Sequence, residues 1–151
     1  MFTPSLLKKG MRSGFTLIEL LLVIGIIAIL AAIVIVAINP TKQLADARNA
    51  QRRSDVNTVL NAVYQYAIDH NGNLPTTITT ATLEICRSKA DCDSDGVQLD
   101  MLTGAYLVSL PTDPLVTTQT GTDYTIVRTS GGRVTVNAPA AEQSATIQVT
   151  R

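Results

Sequence analysis

Residues 15–38 form an apolar run of 24 residues, built almost wholly from Leu, Ile, Val and Ala, with Glu19 as its one charged side chain. An α-helix rises 1.5 Å per residue, so this run would be about 36 Å long, enough to cross a bilayer with some tilt. The run therefore predicts a membrane-spanning helix near the N-terminus.

A secretory signal peptide is the alternative explanation for an apolar segment in this position. Such a signal has an apolar core of about 7–15 residues, followed by a cleavage site of small residues. Ala28, Ala31 and Ala32 could serve as that site, but the run is longer than such a core and stays apolar beyond them. A membrane anchor is the better interpretation.

The apolar run ends at Asn39-Pro40, where we expect a kink or a restart of the helix, because the residue before a proline avoids helical angles and proline suits a first turn. Asn71-Gly72 and Pro75 then stop the helical pattern. We expect one long helix over about residues 15–70, half in lipid and half in a soluble domain. Its soluble half has apolar residues at the three-and-four spacing of an amphipathic helix: Val56, Val59, Leu60, Val63, Tyr66 and Ala67.

Beyond residue 75 the sequence changes to short segments separated by glycine and proline. Residues 124–129 and 133–137 alternate apolar and polar side chains around Gly131-Gly132, which predicts a β-hairpin. Residues 145–150 could add a third strand, and residues 99–107 a short helix. The expected fold class is α+β: a long N-terminal α-helix packed on a small antiparallel β-sheet.

These patterns divide the chain of 151 residues into four segments. Residues 1–14 form a short basic leader, and residues 15–38 form the apolar helix. Residues 39–70 are its amphipathic continuation, and residues 71–151 are a β-rich globular region. No second soluble domain is needed for a chain of this length.

Charge is balanced over the whole chain, with 12 basic and 12 acidic residues. Lys8, Lys9 and Arg12 precede the apolar run, so a chain without them would have nine basic residues against twelve acidic ones. This excess of negative charge argues against a general nucleic-acid binder. Basic residues lie on both sides of the apolar run, so charge alone does not decide its orientation in a membrane.

The sequence GFTLIELL at residues 14–21 follows a basic leader and opens the apolar run. Over residues 8–38 the chain resembles type IV prepilins and pseudopilins at their processing site. The resemblance is specific, because a short charged leader, a glycine at the edge of the run and an acid within it are each unusual. Glycine also suits a cleavage site, since without a side chain it enters a protease cleft at little steric cost.

The resemblance implies that a membrane aspartyl prepilin peptidase cuts between Gly14 and Phe15 and that the new amino group of Phe15 is N-methylated. It places the leader in the cytoplasm and the C-terminal domain outside. The partners it implies are identical or homologous pilin subunits, the prepilin peptidase and methyltransferase, and an inner-membrane assembly platform with a cytoplasmic ATPase. We expect no cofactor, no enzymatic activity and no specific nucleic-acid partner.

Glu19 is the residue that the resemblance assigns to subunit assembly. A carboxylate in hydrocarbon costs at least about 2.5–3.5 kcal/mol by insertion scales and usually marks a function. The family offers a compensating charge, the amino group of Phe15 on a neighbouring subunit. The alternative is an ordinary single-pass anchor in which Glu19 lies near the lipid headgroups.

Three arginines, Arg48, Arg52 and Arg53, lie in the polar part of the second helical segment. They could contact anionic lipid or acidic side chains of a neighbouring subunit. Because acidic residues are interspersed among them, we interpret them as a solvated helical face.

Cys86 and Cys92 are the two cysteines of the chain, and they enclose a five-residue loop. In an exported region such a pair favours a disulfide over free thiols. No His or further Cys lies close by, so the spacing does not predict zinc. Adhesive pilins often carry a disulfide in a C-terminal loop, whereas this pair is in the middle of the chain, which weakens an adhesive role.

The segment that begins at Asp91 has the opening pattern of a calcium loop, with oxygen ligands at Asp91, Asp93 and Asp95 and a turning glycine at Gly96. The twelfth position is Leu102, where a bidentate acid is required. Some pseudopilins bind calcium in their C-terminal domains. Calcium is thus a candidate ligand, and a simple solvated acidic turn is the alternative.

The sequence favours a structural protein over an enzyme. His70 is the only histidine, lies at the expected end of the helix, and has no serine or cysteine motif near it. The leading hypothesis is therefore a structural subunit of a type IV pilus or related pseudopilus. The alternative is a monomeric, membrane-anchored binding module, and nothing in the sequence selects among adhesion, DNA uptake, secretion and motility.

Overall fold

The computed structural model describes residues 14–88, 90, 92, 95–117 and 119–151. The chain divides into two compact units, the first ending at Pro40 and the second running from Thr41 to Arg151. The first unit contains one apolar helix, and the second contains all the strands of the described residues together with most of a second helix.

Helix α1 spans Leu17–Ile38 and ends at Asn39, whose φ of 47° lies in the left-handed region. Helix α2 begins at Pro40, a position where proline is favoured because its missing N–H would have no helical partner. The predicted restart at Asn39-Pro40 is therefore confirmed. The single helix expected over residues 15–70 is instead two consecutive helices.

Helix α2 spans Pro40–Asp69 and buries one face. It stops where expected, since Asn71 and Gly72 have left-handed φ values of 56° and 85°. The amide of Gly72 donates to the carbonyl of Ala67 at 2.7 Å and so satisfies one of the last helical carbonyls. The predicted apolar stripe is buried except for the partly exposed Tyr66; the buried members are Val56, Val59, Leu60, Val63 and Ala67.

Five short strands form one sheet in the order β2-β1-β3-β4-β5. The predicted hairpin is confirmed, with Ile126 of β3 opposite Val136 of β4 in an antiparallel pair. The predicted third strand is β5, which pairs antiparallel with β4 but is shorter than residues 145–150. The strands are β1 Leu83–Cys86, β2 Gly96–Val97, β3 Gly121–Arg128, β4 Val134–Asn137 and β5 Gln148–Thr150.

The sheet is mixed, and the expectation of a wholly antiparallel sheet is wrong for one pair. Strand β1 is antiparallel to β3 but parallel to β2, with Glu84 opposite Gly96 and Ile85 opposite Val97. A parallel neighbour requires the chain to return, between β1 and β2, to the end of the sheet at which β1 begins. Gly96, expected in a turn, is the first residue of β2.

The short helix expected within residues 99–107 is only a 3₁₀ turn, Asp100–Leu102. Gly104 follows with a φ of 84°, and its amide donates to the carbonyl of Leu107 at 2.6 Å. This turn reverses the chain before a longer helix can form. The 3₁₀ turn places the fully buried side chain of Leu102 in the core.

The core of the second unit lies between α2 and one face of the sheet. The α2 stripe meets inward-facing side chains that are at most 1% exposed, so the amphipathic helix covers the sheet as predicted. The sheet contributes Ile85, Val97, Tyr124, Ile126, Val134 and Val136 to this core.

Candidate functional site

Helix α1 is, within the part of the chain that the structure describes, the one helix long and apolar enough to cross a membrane, judged by length and composition. It has 22 residues, of which Glu19 is the only charged one. None of its residues is buried within the single chain. Its apolar surface is thus available to lipid or to other protein surfaces.

The start of α1 is closed by a capping box between Thr16 and Glu19. The backbone N–H and the hydroxyl of Thr16 donate to Oε2 of Glu19 at 2.8 and 2.7 Å, and the amide of Glu19 donates to the Thr16 hydroxyl at 3.3 Å. Reciprocal bonds of this kind satisfy donors that a helix N-terminus leaves unpaired. The carboxylate of Glu19 therefore has hydrogen-bond partners within its own chain.

Gly14 and Phe15 precede α1 and have no helical structure. The side chain of Phe15 is 85% exposed, and a Cβ added at Gly14 would meet no atom within 4 Å. Nothing in the chain thus covers the Gly14-Phe15 peptide bond among the described residues. The basic leader, with Lys8, Lys9 and Arg12, lies outside the described residues.

Cys86 and Cys92 form a disulfide, with their Cα atoms 5.2 Å apart. Cys86 ends β1, and its side chain is almost fully buried. The bond closes the chain between β1 and β2, the one parallel pair of the sheet. The disulfide thus ties the chain between β1 and β2 to the end of β1.

The candidate calcium ligands fall mostly on residues that the structure does not describe. Asp91 and Asp93 lie outside the described residues, and Asp95 alone of the three is described, in a turn before β2. Elsewhere in the described ranges no group of three His, Cys, Asp or Glu side chains could hold a metal ion. Calcium binding remains a prediction from the sequence.

A buried ion pair joins α2 to the loop before β3. The guanidinium of Arg52 donates through Nε and Nη2 to both carboxylate oxygens of Asp113, at 2.6 and 2.9 Å, and neither side chain is exposed. Asp113 is fixed in turn, since its Oδ1 accepts from the amide of Leu115 at 2.8 Å. The hydrogen bonds from Arg52 to Asp113 raise the pKa of Arg52, against the effect of burial, so the arginine stays charged.

Glu142 extends this pair into a cluster with a second arginine. It accepts two hydrogen bonds from Arg48, both at 2.6 Å, and one from Nη1 of Arg52 at 2.8 Å. Asn49, also buried, accepts from Arg52 at 3.0 Å. Two bidentate pairs, Arg52–Asp113 and Arg48–Glu142, are linked by the single bond from Arg52 to Glu142 and hold α2 against two separate loops.

The interpretation of the three arginines as a solvated face is wrong for Arg52 and Arg48. Arg52 is fully buried, and Arg48 is paired with Glu142 and only 28% exposed at its side chain. Arg53, one residue along the helix, points away from the core and is exposed as expected. Successive residues of an α-helix differ in direction by about 100°, so Arg52 faces the core while Arg53 faces solvent.

A second polar bridge links α2 to the sheet at Tyr124. The Tyr124 hydroxyl donates to Oδ2 of Asp55 at 2.7 Å, and Gln51 donates to the other oxygen at 2.7 Å. Burial, followed by the bond to Asp55, raises the pKa of Tyr124, so the phenol keeps its proton. The bridge places a satisfied hydroxyl beneath the helix, at the edge of the apolar core.

Glu142 makes the stability of this cluster pH-dependent. Hydrogen bonds from Arg48 and then from Arg52 lower the pKa of Glu142 from 4.5 to about 2. Because the folded-state pKa is depressed, the carboxylate's stabilisation is complete above the unfolded pKa and is lost as the pH falls through about 2. E142Q should therefore lower the melting temperature near neutral pH, and its difference from wild type should shrink as the pH falls from about 4.5 to about 2.

Thermal melts of the full-length chain in detergent, followed by circular dichroism, measure this difference. E84Q serves as the control, because Glu84 is a partly exposed acid whose Oε1 accepts a hydrogen bond from the amide of Asp123, away from α2. A difference for E142Q that stays constant down to about pH 2 would contradict the assignment.

His70 lies just beyond the end of α2 and is exposed, as the sequence predicts for a helix-ending histidine. Its ring stacks on Tyr66 with the centroids 3.8 Å apart, and Nδ1 lies 2.8 Å from the Tyr66 carbonyl. These contacts stabilise the helix end. They give no arrangement for acid–base catalysis.

The sequence interpretation missed the capping box and the charge cluster. The first has a visible signal, because Thr16 and Glu19 fit the S/T-x-x-E pattern ahead of an apolar run. The second has a weaker one: Asn49 and Arg52 precede Val56 at the same spacing as the apolar stripe. The acidic partners of Arg52 lie 61 and 90 residues along the chain, where spacing gives no information.

Comparisons with known proteins bear on both units. The family described as "Prokaryotic N-terminal methylation motif" matches residues 9–35. The chain is 32% identical over 108 residues to the type II secretion system core protein G of Aeromonas hydrophila, which covers 72% of this chain and 71% of that protein. No solved structure matches.

An alignment of 108 residues extends well beyond the motif into the C-terminal unit. The chain therefore belongs to the type IV pilin and pseudopilin family and is a structural subunit of a pilus or pseudopilus, made as a prepilin.

Proposed function

We propose that the chain is cut between Gly14 and Phe15 by a prepilin peptidase and N-methylated on the new amino group of Phe15. It is then stored in the membrane through α1 and assembled into a filament whose core is formed by α1 helices of neighbouring subunits. A cytoplasmic ATPase acting through an inner-membrane platform powers extraction. The observation that carries the proposal is the methylation motif over residues 9–35, which spans the Gly14-Phe15 bond.

The exposure of α1 supports assembly through this helix. Its 22 residues bury no side chain within the chain, so a subunit that leaves lipid must cover them with other apolar surface. Copies of the same helix provide that surface at every position of a helical polymer. Filament formation thus stabilises α1 outside the bilayer.

Glu19 supports the same proposal. It lies on α1, where an unpaired carboxylate is unfavourable in lipid, and the capping box with Thr16 satisfies only its hydrogen bonding. We propose that the charged amino group of Phe15 on a neighbouring subunit neutralises it in the filament. This pairing would set the axial register of successive subunits.

The relative named above is a secretion-system protein, and its similarity reaches the C-terminal unit of this chain. We propose on this ground that the filament is a secretion pseudopilus. The Cys86–Cys92 bond, in the middle of the chain, gives no independent support for adhesion.

The mature N-terminus tests the proposal directly. Intact-mass measurement and N-terminal sequencing of the chain from its native membranes should give a start at Phe15 carrying one additional methyl group. A start at Met1, or one after Ala32 as for a secretory signal, contradicts the proposal. Mass spectrometry of sheared filaments should then find the same processed chain, and its absence from them would favour a monomeric, membrane-anchored module.

Gly14 offers a matched pair of variants for the cleavage step. Because a Cβ at this position meets nothing within 4 Å, G14A and G14V should both leave the chain's own fold unchanged. G14V should be cleaved at least about tenfold more slowly, since its rigid, branched side chain fills a protease cleft that glycine leaves open, whereas G14A should be affected less. Equal cleavage of all three chains would contradict a peptidase that reads Gly14.

A further inference from the structure

The segment between β4 and β5, residues 138–147, lies along the first half of α2. We call it the Glu142 loop. Its base is closed by a hydrogen bond from the amide of Ala138 to the carbonyl of Ile147 at 2.9 Å. At its tip, Gln143 and Ser144 have left-handed φ values of 58° and 55°. Two consecutive non-glycine residues in this region are unfavourable, so contacts made by the loop must hold its shape.

Ala138 and Ile147 at the base of the loop are buried in the core, whereas the side-chain hydrogen bonds of the loop all go to α2. Asn49 donates to the carbonyl of Glu142 at 2.9 Å and accepts from its amide at 3.0 Å, in addition to the ion pairs of the Glu142 carboxylate. Gln143 donates to Oδ1 of Asp46 at 2.9 Å and to the carbonyl of Lys42 at 3.2 Å. Together with Arg52, the contacted residues cover ten helical steps, or about 15 Å of α2.

The two halves of α2 are attached by different physical means. From Val56 onward the helix is held by apolar side chains that are buried in the core. Before Val56 the buried residues are one alanine, Ala45, and three polar or charged residues. Asn49 and Arg52 have their partners outside α2 in loops, and Asp55 has its partner, Tyr124, on β3. The first half therefore depends on directed hydrogen bonds and ion pairs, and the second half on apolar burial.

The connection between α1 and α2 determines which half of α2 a pulling force reaches first. One residue, Asn39, separates α1 from α2, so a force applied to the anchor enters α2 at Pro40. A helix that is pulled from one end loads the contacts nearest that end first. On α2 these are the contacts of Gln143 with Lys42 and Asp46, followed by those of Glu142.

We propose that the Glu142 loop is a strap that fastens the first half of α2 to the globular unit and opens independently of the apolar core. Closed, the strap keeps the globular unit rigidly attached to α2 while the subunit is extracted from the membrane and held in a filament. Open, it frees the first three turns of α2 without unfolding the sheet. The mechanical role rests on the proposed function, but the independent opening does not.

Hydrogen exchange on the full-length chain in detergent micelles tests the independent opening. E142Q removes the charge of the strap but leaves the buried Arg52–Asp113 pair intact, so the unit should still fold. In wild type, amides of residues 44–52 should exchange with a smaller opening free energy and a shallower urea dependence than those of residues 56–67, and E142Q should accelerate their exchange at least about tenfold. Q143A, which removes the contacts to Lys42 and Asp46, should accelerate exchange mainly at residues 44–47.

The matched control is E84Q, the same substitution on the sheet, which should leave both halves of α2 unchanged. Unchanged exchange of residues 44–52 in E142Q, or one opening free energy and urea dependence shared by both halves of α2 and the sheet, would overturn the strap. Filament yield separates this result from the proposed function. If wild type forms filaments and E142Q lowers their yield at equal membrane levels, the mechanical role is supported; if E142Q assembles like wild type, that role is wrong. A wild-type chain that forms no filaments contradicts the proposed function instead.

Discussion

R52M is expected to destabilise the C-terminal unit by about 3–5 kcal/mol, because it leaves Asp113 as a buried charge without a cation. Both side chains of the pair are fully buried, so water cannot replace the lost hydrogen bonds without opening the structure. Methionine has a similar length and is apolar, so a cavity contributes little to the loss. Urea unfolding of the full-length chain in detergent, followed by circular dichroism of the sheet and α2, measures the change.

Arg53 provides the matched control for this prediction. R53M makes the same substitution one residue along α2, at an exposed side chain, and should change the free energy of unfolding by less than about 0.5 kcal/mol. The double variant R52M/D113L should recover part of the loss, since replacing both charges by apolar groups removes the unpaired carboxylate. A loss for R52M no larger than that for R53M would show that the pair does not stabilise the unit.

The parts of the fold that the sequence predicts well are those with local periodicity. The apolar run, the α2 stripe that includes Val59 and Val63, and the β3–β4 hairpin each follow from spacing alone. Strands β1 and β2 were not predicted, because they have four and two residues and no sustained alternation. Their parallel pairing depends on the return of the chain between them, which is a tertiary feature.

The charge cluster shows why polarity misled the interpretation of the first half of α2. Ala45, Asn49 and Arg52 continue the phase of the Val56 stripe toward the N-terminus, so spacing alone places them on the buried face. Residue type suggested the opposite, since arginine is seldom fully buried without a partner. The partners, Asp113 and Glu142, come from loops whose positions only the folded sheet determines. In this helix, position along the helical repeat predicts burial better than residue type does.

E19L is expected to reduce filament yield by more than about tenfold, since the loss of only about 1.4 kcal/mol per subunit contact changes an equilibrium constant by that factor. In the proposed filament the carboxylate neutralises the amino group of Phe15 on a neighbour, and leucine leaves that cation unpaired. Removing the carboxylate also removes a charge that is unfavourable in hydrocarbon, so membrane levels of the variant should equal or exceed wild type. Sheared filaments and membrane fractions, quantified by mass spectrometry of the same peptide, give both values.

E19Q separates the charge of Glu19 from its capping role. Glutamine can still accept the hydrogen bonds from the amide and hydroxyl of Thr16, so the start of α1 should be kept while the charge is lost. If the charge sets the register between subunits, E19Q should fail to assemble as E19L does. If E19Q forms filaments at the wild-type level and only E19L fails, the capping box would explain the requirement for Glu19, and the proposed pairing with Phe15 would be wrong. Because both variants keep Gly14 and Phe15, processing should continue in each, and a defect in assembly can be assigned to position 19.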